Sequence, residues 1–353
     1  MKKTIAITSA LAAASSLATA EIKINEFLSF AGFVDMSYSH TNTNDDGGNE
    51  SDNSFGVDQV EIDWLFNFGK VTAQVDLQYN DNRIDNGSST DAVWVEQAFA
   101  SYDLGNGFVI TGGRYESGLG LEDKEPTGLY QYSTAYTLDG ETISVLPQYA
   151  QGVKATYTSN GNTYYVSLQD ETDENDAGRL GGDNSSSYAI EAGASFDLGN
   201  GLNWFIGGVI GENDGFNSDT QVINTHLTYQ SGDWTFGAEL TYGESSDEEF
   251  NNGQDDGGLD NDADDGVEQM EALIMANYAY NECCSITGRI SLVDATFDDN
   301  TNEHYDVTKY TLAHNNALTD NLAVITEVSY IDGDLDGEHY EELVGAVEVL
   351  FTF

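Results

Sequence analysis

Three alternating aspartates mark an acidic stretch of the chain. Asp260, Asp262 and Asp264 are separated by single residues, and Glu271 follows Asp260 by eleven positions. This spacing of carboxylates is typical of a loop that binds calcium through hard oxygen ligands. Gly266 lies one position later than such a loop requires, and the pattern around Glu271 predicts a strand. Two hypotheses stay open: an ordered calcium site, or a solvated acidic loop that gathers divalent cations loosely.

Histidine and cysteine residues offer little catalytic chemistry. The five histidines are scattered and none lies in a recognisable nucleophile motif: His40, His226, His304, His314 and His339. Cys283 and Cys284 are adjacent, and a disulfide between neighbours is strained. We expect this pair to be oxidised together or unpaired, not to bind a metal. The sequence predicts no enzyme, and no cofactor beyond loosely bound calcium.

The composition excludes several classes of protein. The 353 residues include 62 Asp and Glu against 11 Lys and Arg, a formal net charge of −51. A nucleic-acid-binding surface is basic, so that function is excluded. Two cysteines cannot form a disulfide framework or a four-cysteine zinc site. Intrinsically disordered chains are poor in aromatic residues, whereas aromatics make up 11% of this chain.

Residues 1–20 have the features of a secretory signal peptide. Lys2 and Lys3 precede a small, apolar run over 4–17, and Ala18-Thr19-Ala20 fits an A-x-A cleavage signal. A membrane-anchoring helix needs about 20 apolar residues, more than this run provides. We expect export and cleavage, with residues 21–353 as the mature chain. No later apolar run is long enough for a transmembrane helix.

Apolar and polar residues alternate along most of the chain after residue 21. In 71–79 the odd-numbered positions are apolar, from Val71 to Tyr79, and the even-numbered positions are polar. Side chains with this period stand on opposite faces of a β-strand. About sixteen such segments occur between residues 28 and 353, and we predict a strand for each.

Short and long connections alternate between these segments. The short ones contain turn sequences such as Gly105-Asn-Gly107, in which Asn and Gly supply the positive φ that tight hairpins need. The long ones are polar, and the longest covers 116–147. A transmembrane barrel keeps short turns at its periplasmic end and long loops at its outer end. The sequence therefore predicts an all-β fold: a transmembrane antiparallel barrel of about sixteen strands occupying 21–353.

Charged residues fall mainly on the polar face of the predicted strands. A charge facing lipid costs up to about 2–4 kcal/mol at the bilayer midplane, so we expect the polar face to line a water-filled lumen. The predicted pore-lining residues comprise nine acids and four bases: Asp35, Glu61, Asp63, Asp76, Arg114, Lys154, Glu191, Glu239, Glu271, Arg289, Lys309, Glu327 and Glu342. Carboxylates attract cations, so a cation bias is predicted. Otherwise we expect inward faces of Thr, Ser, Asn, Gln and acids, with few aromatics.

The last strand carries a recognisable signature. Leu343, Val347, Val349 and Phe351 share one face with Phe353, the final residue. This pattern resembles the C-terminal strand of Gram-negative outer-membrane proteins, whose terminal Phe is read by the outer-membrane assembly machinery. The resemblance implies an outer-membrane location after signal-peptide export.

A narrower resemblance covers roughly residues 92–158. Val95-Glu-Gln-Ala-Phe99, Gly112-Gly-Arg-Tyr115 and Tyr132-Ser-Thr-Ala-Tyr136, with Pro147 ahead of Gly152-Val153, are similar to the putative beta-barrel porin family. In general porins of sixteen strands the third outer loop folds into the barrel and forms the constriction. Here that loop, 116–147, carries the acids Glu116, Glu122, Asp123, Glu125, Asp139 and Glu141. The resemblance implies that they face Arg114, Lys154 and Arg289; the alternative is a loop lying outside, over the barrel mouth.

The sequence thus favours an outer-membrane porin, a passive diffusion channel for small hydrophilic solutes and cations. The resemblance to general porins also implies a homotrimer. The alternative is a substrate-specific channel, or a non-conducting surface barrel that binds a ligand or divalent cations through its acidic outer loops.

Overall fold

The computed structural model describes residues 21–45, 48–79, 93–138, 141–170, 188–213, 218–245, 267–297 and 304–353. Sixteen long strands dominate these residues, here numbered in chain order: β1 (Leu28–Asp45), β2 (Gly48–Asn67), β3 (Val71–Tyr79), β4 (Val93–Gly105), β5 (Phe108–Glu116), β6 (Tyr149–Ser159), β7 (Asn162–Gln169), β8 (Tyr188–Gly199), β9 (Leu202–Asn213), β10 (Ser218–Ser231), β11 (Trp234–Ser245), β12 (Val267–Asn281), β13 (Cys284–Phe297), β14 (His304–Thr319), β15 (Leu322–Leu335) and β16 (Glu338–Thr352).

Every strand pairs antiparallel with the next one along the chain, and β16 pairs with β1. The sheet is therefore a closed barrel without a free edge, which confirms the predicted fold class. Short strands also pair Ile22–Lys23 with β1, and Thr137–Leu138 with Glu141–Thr142. Among the described residues, no helix is both long and apolar enough to cross a membrane.

The two faces of the barrel differ in accessibility as the alternation predicts. On β15, Val328 is 56% exposed, whereas Glu327 and Ser329 on either side of it are 3% and 1% exposed. Large apolar residues such as Leu240 and Ile274 are likewise exposed on the outward face. An outward apolar surface is the surface that lipid requires.

Asparagine-glycine pairs make the tight turns at one end of the barrel. Asn106, Asn160 and Asn200 have φ of 55°, 52° and 55°, and the glycine after each also has a positive φ. Two successive residues with positive φ define the type I′ hairpin turn, whose twist matches that of the flanking strands. These turns join β4 to β5, β6 to β7 and β8 to β9.

The barrel closes where the chain terminus meets β1. The backbone N–H of Gly32 donates to the Phe353 carbonyl at 3.0 Å, and the Phe353 N–H donates to the Gly32 carbonyl at 2.9 Å. A Cβ atom at Gly32 would overlap the Glu61 carbonyl oxygen and the Phe353 ring. Glycine at this position therefore allows β2 and the C-terminal phenylalanine to approach β1 together.

Substituting Gly32→Val should lower the stability of the folded barrel by about 1–3 kcal/mol, the usual cost of overpacking. The temperature at which the folded form loses its heat-modifiable mobility on gels measures this effect. Gly345→Val on β16 is the matched control, because a Cβ there meets no atom within 4 Å. Equal temperatures for the two variants would contradict the prediction.

Candidate channel interior

The described residues of the connection between β5 and β6, 117–138 and 141–148, lie inside the barrel and are here called the interior segment. The Ser117 hydroxyl donates to Glu191 of β8 at 2.8 Å, and the Ser133 N–H donates to Glu327 of β15 at 3.0 Å. The Tyr132 hydroxyl of the segment lies 3.2 Å from the Ser37 hydroxyl on β1. These partners share the inward face of strands distributed around the closed ring. A single segment reaches all of them only by crossing the interior.

Carboxylates of the barrel wall hold this segment through its backbone. Glu271 accepts hydrogen bonds from the Val145 N–H at 2.6 Å, the Ser144 hydroxyl at 3.1 Å and the Gln269 amide at 2.9 Å. Each bond satisfies a backbone or side-chain donor that would otherwise be buried without a partner. A carboxylate suits this task because it only accepts.

Tyrosine hydroxyl groups donate hydrogen bonds to two of the wall carboxylates, Glu239 and Glu191. The Tyr136 hydroxyl donates to Glu239 at 3.0 Å, and the Tyr165 hydroxyl donates to Glu191 at 2.8 Å. Asn224 also donates to Glu239, at 3.0 Å. These acids are 6% and 1% exposed, so the interior segment covers them and they do not face open water.

Arg289 connects the opposite side of the segment to β13. Its guanidinium lies 2.6 Å from Glu122 and donates to the Thr134 carbonyl at 2.9 Å. The same group donates to Thr311 of β14 at 3.2 Å. The side chain is fully buried, so these partners, in place of water, stabilise its positive charge.

An apolar cluster joins the segment to the wall. Leu119, Leu121, Tyr130, Ile143 and Val145 of the segment belong to it. The wall contributes residues from β7 to β10 and from β12 to β16, among them Val209, Val222, Leu273, Met275, Val293, Val307 and Ile331. Our expectation of inward faces made of polar and acidic residues is therefore wrong for this part of the barrel. A loop that folds inside brings its own apolar side chains, and these need apolar partners on the wall.

A second group of acids lies across the interior, on β2 to β4. We call Glu61, Asp63, Asp76, Glu96 and Glu125 the acid box; the first four belong to the wall and Glu125 to the interior segment. Oxygens of the first three lie within 4.8 Å of one another, as do oxygens of Glu61, Glu96 and Glu125. Burial and the nearby Glu96 carboxylate raise the pKa of Glu125 well above its usual value.

A bulge in β4 places Glu96 in the acid box. Asp76 pairs with Gln97 and Leu77 with Val95, so Glu96 is the extra residue between two regular pairs. Asp58 on β2 is likewise the extra residue opposite β1. Sequence reasoning missed both because a bulge shifts the phase of the alternation. It also missed Glu348, although that residue follows Glu342 in the same phase and the alternation could have identified it.

Twelve of the thirteen predicted pore-lining residues lie on the inward face: Asp35, Glu61, Asp63, Asp76, Lys154, Glu191, Glu239, Glu271, Arg289, Lys309, Glu327 and Glu342. Arg114 does not fit the alternating pattern. Counting every second residue from the exposed Ile110 would place its side chain on the outward face. Gly113, with a φ of 131°, precedes it, and the Arg114 side chain is buried, donating to the Glu96 carbonyl at 2.9 Å. A pore-lining role for these residues stays a prediction.

The residues predicted to form the constriction do not share one environment. Glu122 meets the predicted base Arg289, and the carbonyl of Glu116, the last residue of β5, accepts from Lys154 at 3.2 Å. Glu125 lies close to the acids Glu61 and Glu96, and the prediction that it faces bases stays a prediction. Asp123 accepts from the Glu125 N–H at 3.2 Å. Glu141 belongs to the short strand Glu141–Thr142. Asp139 and the calcium candidates lie outside the described residues: Asp260, Asp262 and Asp264.

The remaining reactive side chains are dispersed. Cys283 and Cys284 are free thiols whose sulfur atoms lie 3.0 Å apart. His226 stacks on Phe205, with ring centroids 4.7 Å apart. His339 joins Asp332 in an exposed group near the strand ends. None of these contacts forms a nucleophile with an oriented base.

Solved structures of outer-membrane proteins share this fold. The outer membrane channel DcaP of Acinetobacter baumannii superposes with a TM-score of 0.64 at 14% identity, covering 92% of this chain and 97% of that one. OmpT, an outer membrane protein of Vibrio cholerae, gives 0.63 at 13%, covering 95% and 100%. An anion-selective porin from Comamonas acidovorans gives 0.61 at 12%, covering 92% and 99%. At these identities the likeness shows the fold alone. No curated protein matches the chain.

A family model identifies the chain more directly. The model described as putative beta-barrel porin-2, OmpL-like, matches residues 28–353, which is the whole barrel from β1 to the terminal phenylalanine. This match confirms the resemblance inferred from the residues between 92 and 158. The closed sixteen-stranded barrel and the match together support an outer-membrane channel, and the chain belongs to the putative beta-barrel porin-2, OmpL-like family.

Proposed function

We propose that this chain is a passive diffusion channel for small hydrophilic solutes, with a bias toward cations. The observation that carries the proposal is the barrel interior, where a closed ring of strands presents acids inward around a folded segment; we infer that this segment forms the constriction of the channel. No covalent chemistry is required, because size exclusion and the electrostatic field of the interior suffice to select solutes. Export through residues 1–20, recognition of the Phe353 strand during assembly and a trimeric state belong to the same proposal.

The cation bias follows from the excess of acids on the inward face. Asp35, Asp58 and Glu348 form a group on β1, β2 and β16, and each has a buried carboxylate oxygen without a hydrogen-bond partner. The basic side chains Arg289 and Lys309 lie on the other side, bonded to the interior segment. Negative potential therefore concentrates near β1 and β2. Screening over about 8 Å at physiological salt limits its reach, so the result is a bias and not a filter.

Single-channel recording tests the proposal as a whole. Refolded protein lacking residues 1–20 is inserted into a planar bilayer under a KCl gradient. We expect discrete steps with a reversal potential displaced toward that of potassium. Silence from protein that shows heat-modifiable mobility would mean that the interior segment closes the barrel, and a binding or structural role would replace the channel.

The double variant Asp35→Asn with Asp58→Asn should lower the potassium-to-chloride permeability ratio by about two- to fivefold, because it removes the negative charge that these two carboxyl groups contribute to the inward face. These residues do not anchor the interior segment, so conductance should change little. The matched control is Asp332→Asn with Asp334→Asn, which removes the same charge from the outward face of β15. If both double variants change the permeability ratio equally, the selectivity does not depend on Asp35 and Asp58.

A further inference from the structure

The acid box gathers five carboxylates at close range inside the barrel. Glu61 belongs to both groups of oxygens that lie within 4.8 Å, one with Asp63 and Asp76, the other with Glu96 and Glu125. Among the ion pairs between described residues, none joins a lysine or arginine to these five carboxylates. The five carboxylates repel one another at this range, and the nearby Arg114 donates to the Glu96 backbone carbonyl at 2.9 Å.

Several oxygens around the box are buried without a donor. Asp76 is fully buried, and its Oδ1 atom has no hydrogen-bond partner; the same holds for Oε2 of Glu96, which is 3% exposed. Gln78 supplies independent evidence, because it is neutral and its buried Oε1 atom also lacks a donor. Gln78 pairs directly across from Glu61 on the inward face. Orphaned buried oxygens are costly and indicate an ion or a water molecule that satisfies them.

The donor set selects a class of ligand. All the atoms are carboxylate or amide oxygens, and neither group contains a histidine or cysteine. Oxygens bound to one calcium ion, each about 2.4 Å from it, lie no more than about 4.8 Å apart, so the oxygens of each group are close enough together to share one ion. Calcium accepts six to eight oxygens in irregular geometry, whereas magnesium requires a near-ideal octahedron. Zinc would favour nitrogen or sulfur ligands.

We propose that the acid box is a calcium site built into the barrel wall, completed by Glu125 of the interior segment. Calcium neutralises part of the cluster and supplies the partner that Asp76, Glu96 and Gln78 lack. The ion also ties the segment to β2 and β4, on the side opposite Arg289. This inference goes beyond the proposed channel function, because binding does not require conduction.

Tyr149 and Gln59 already orient the ligand from the segment. The Tyr149 hydroxyl donates to one oxygen of Glu125 at 3.1 Å, and the Gln59 amide donates to the other at 2.8 Å. Each oxygen keeps a lone pair for a metal. The Gln74 amide likewise donates to one oxygen of Asp76 at 2.8 Å. Hydrogen bonds to ligating carboxylates from surrounding side chains are the usual support of a metal site.

Equilibrium dialysis against calcium chloride, at fixed ionic strength in detergent, tests the site on the folded full-length barrel. All proteins carry Asp332→Asn and Glu341→Gln, which remove the exposed group near His339 as a competing binder. Glu61→Gln, which changes the ligand common to both groups, should bind one calcium ion fewer per chain than its parent. Glu191→Gln is the matched control: an inward, buried acid whose oxygens already have donors. Equal binding by parent and Glu61→Gln would overturn the proposal.

Thermal unfolding of the unsubstituted barrel gives a second readout that does not depend on how the variants fold. Calcium that binds only the folded state raises the unfolding midpoint. Adding a chelator should therefore lower the midpoint by about 5 °C or more. Glu125→Gln, a change outside the strands, should reduce this shift, and Glu191→Gln should preserve it. A midpoint insensitive to chelation would show that protons, not calcium, neutralise the acid box. Conductance decides the channel function separately, so the two proposals can fail independently.

Discussion

Arg289→Ala is expected to loosen the interior segment and to raise single-channel conductance. The substitution removes the 2.6 Å ion pair with Glu122 and the 2.9 Å bond to the Thr134 carbonyl. It leaves the Glu122 carboxylate without its cationic partner, and removing one member of a buried ion pair costs about 3–5 kcal/mol. We expect larger and noisier current steps, and a lower temperature for the loss of heat-modifiable mobility.

A double variant separates the ion pair from the volume of the side chain. Arg289→Met combined with Glu122→Gln replaces both charges at similar size, and such replacements are often close to neutral. Gln131 and the backbone of the segment can still bond to the amide at position 122. The double variant should therefore recover most of the stability lost in Arg289→Ala. If neither variant changes the current, Arg289 does not position the segment.

The second large effect is expected from Leu121→Asp. Leu121 is fully buried in the apolar cluster, beside Met275 and close to Gly237 on the wall. An ionised carboxylate there would have no partner, and its burial costs several kcal/mol. Because the barrel strands retain their own hydrogen bonds, the segment should detach from β11 and β12 while the barrel persists. Recordings should then show an enlarged or fluctuating conductance.

Leu121→Met is the control for this substitution. Methionine has nearly the volume of leucine, and such swaps usually cost less than about 1.5 kcal/mol. Its current trace and heat stability should match those of the unsubstituted protein. A Leu121→Asp channel that behaves like Leu121→Met would show that the apolar cluster does not hold the segment.

Strand order and barrel closure were predictable from the sequence because they depend on local chemistry. The alternation around residues 71–79 indicates which face of the strand contacts lipid, and the pair Asn106-Gly107 indicates a turn with positive φ. Each signal lies within a few residues of the chain. The prediction of sixteen strands needed only that these signals repeat along the chain.

The interior could not be predicted in the same way. The contacts of Glu125 with Glu61 and Glu96 join three separate parts of the chain, and no local pattern encodes them. The position of Glu96 depends on a bulge, which alternation alone does not reveal. Leu273 and Met275 face inward beside the equally apolar Ile274, so hydrophobicity does not distinguish their face. Knowledge of where the segment packs is needed to interpret each of these residues.

The anchoring of the interior segment also orders events during assembly. The bonds between Ser133 and Glu327 join residues 194 positions apart, and their acceptor lies on the fifteenth of the sixteen strands. Contacts between such distant parts of a chain form slowly, because a long loop must close first. The bonds of Ser133 therefore form only after β15 has joined the ring. We expect the segment to reach its final place late in folding, so the permeability of a newly closed barrel should decrease as folding is completed.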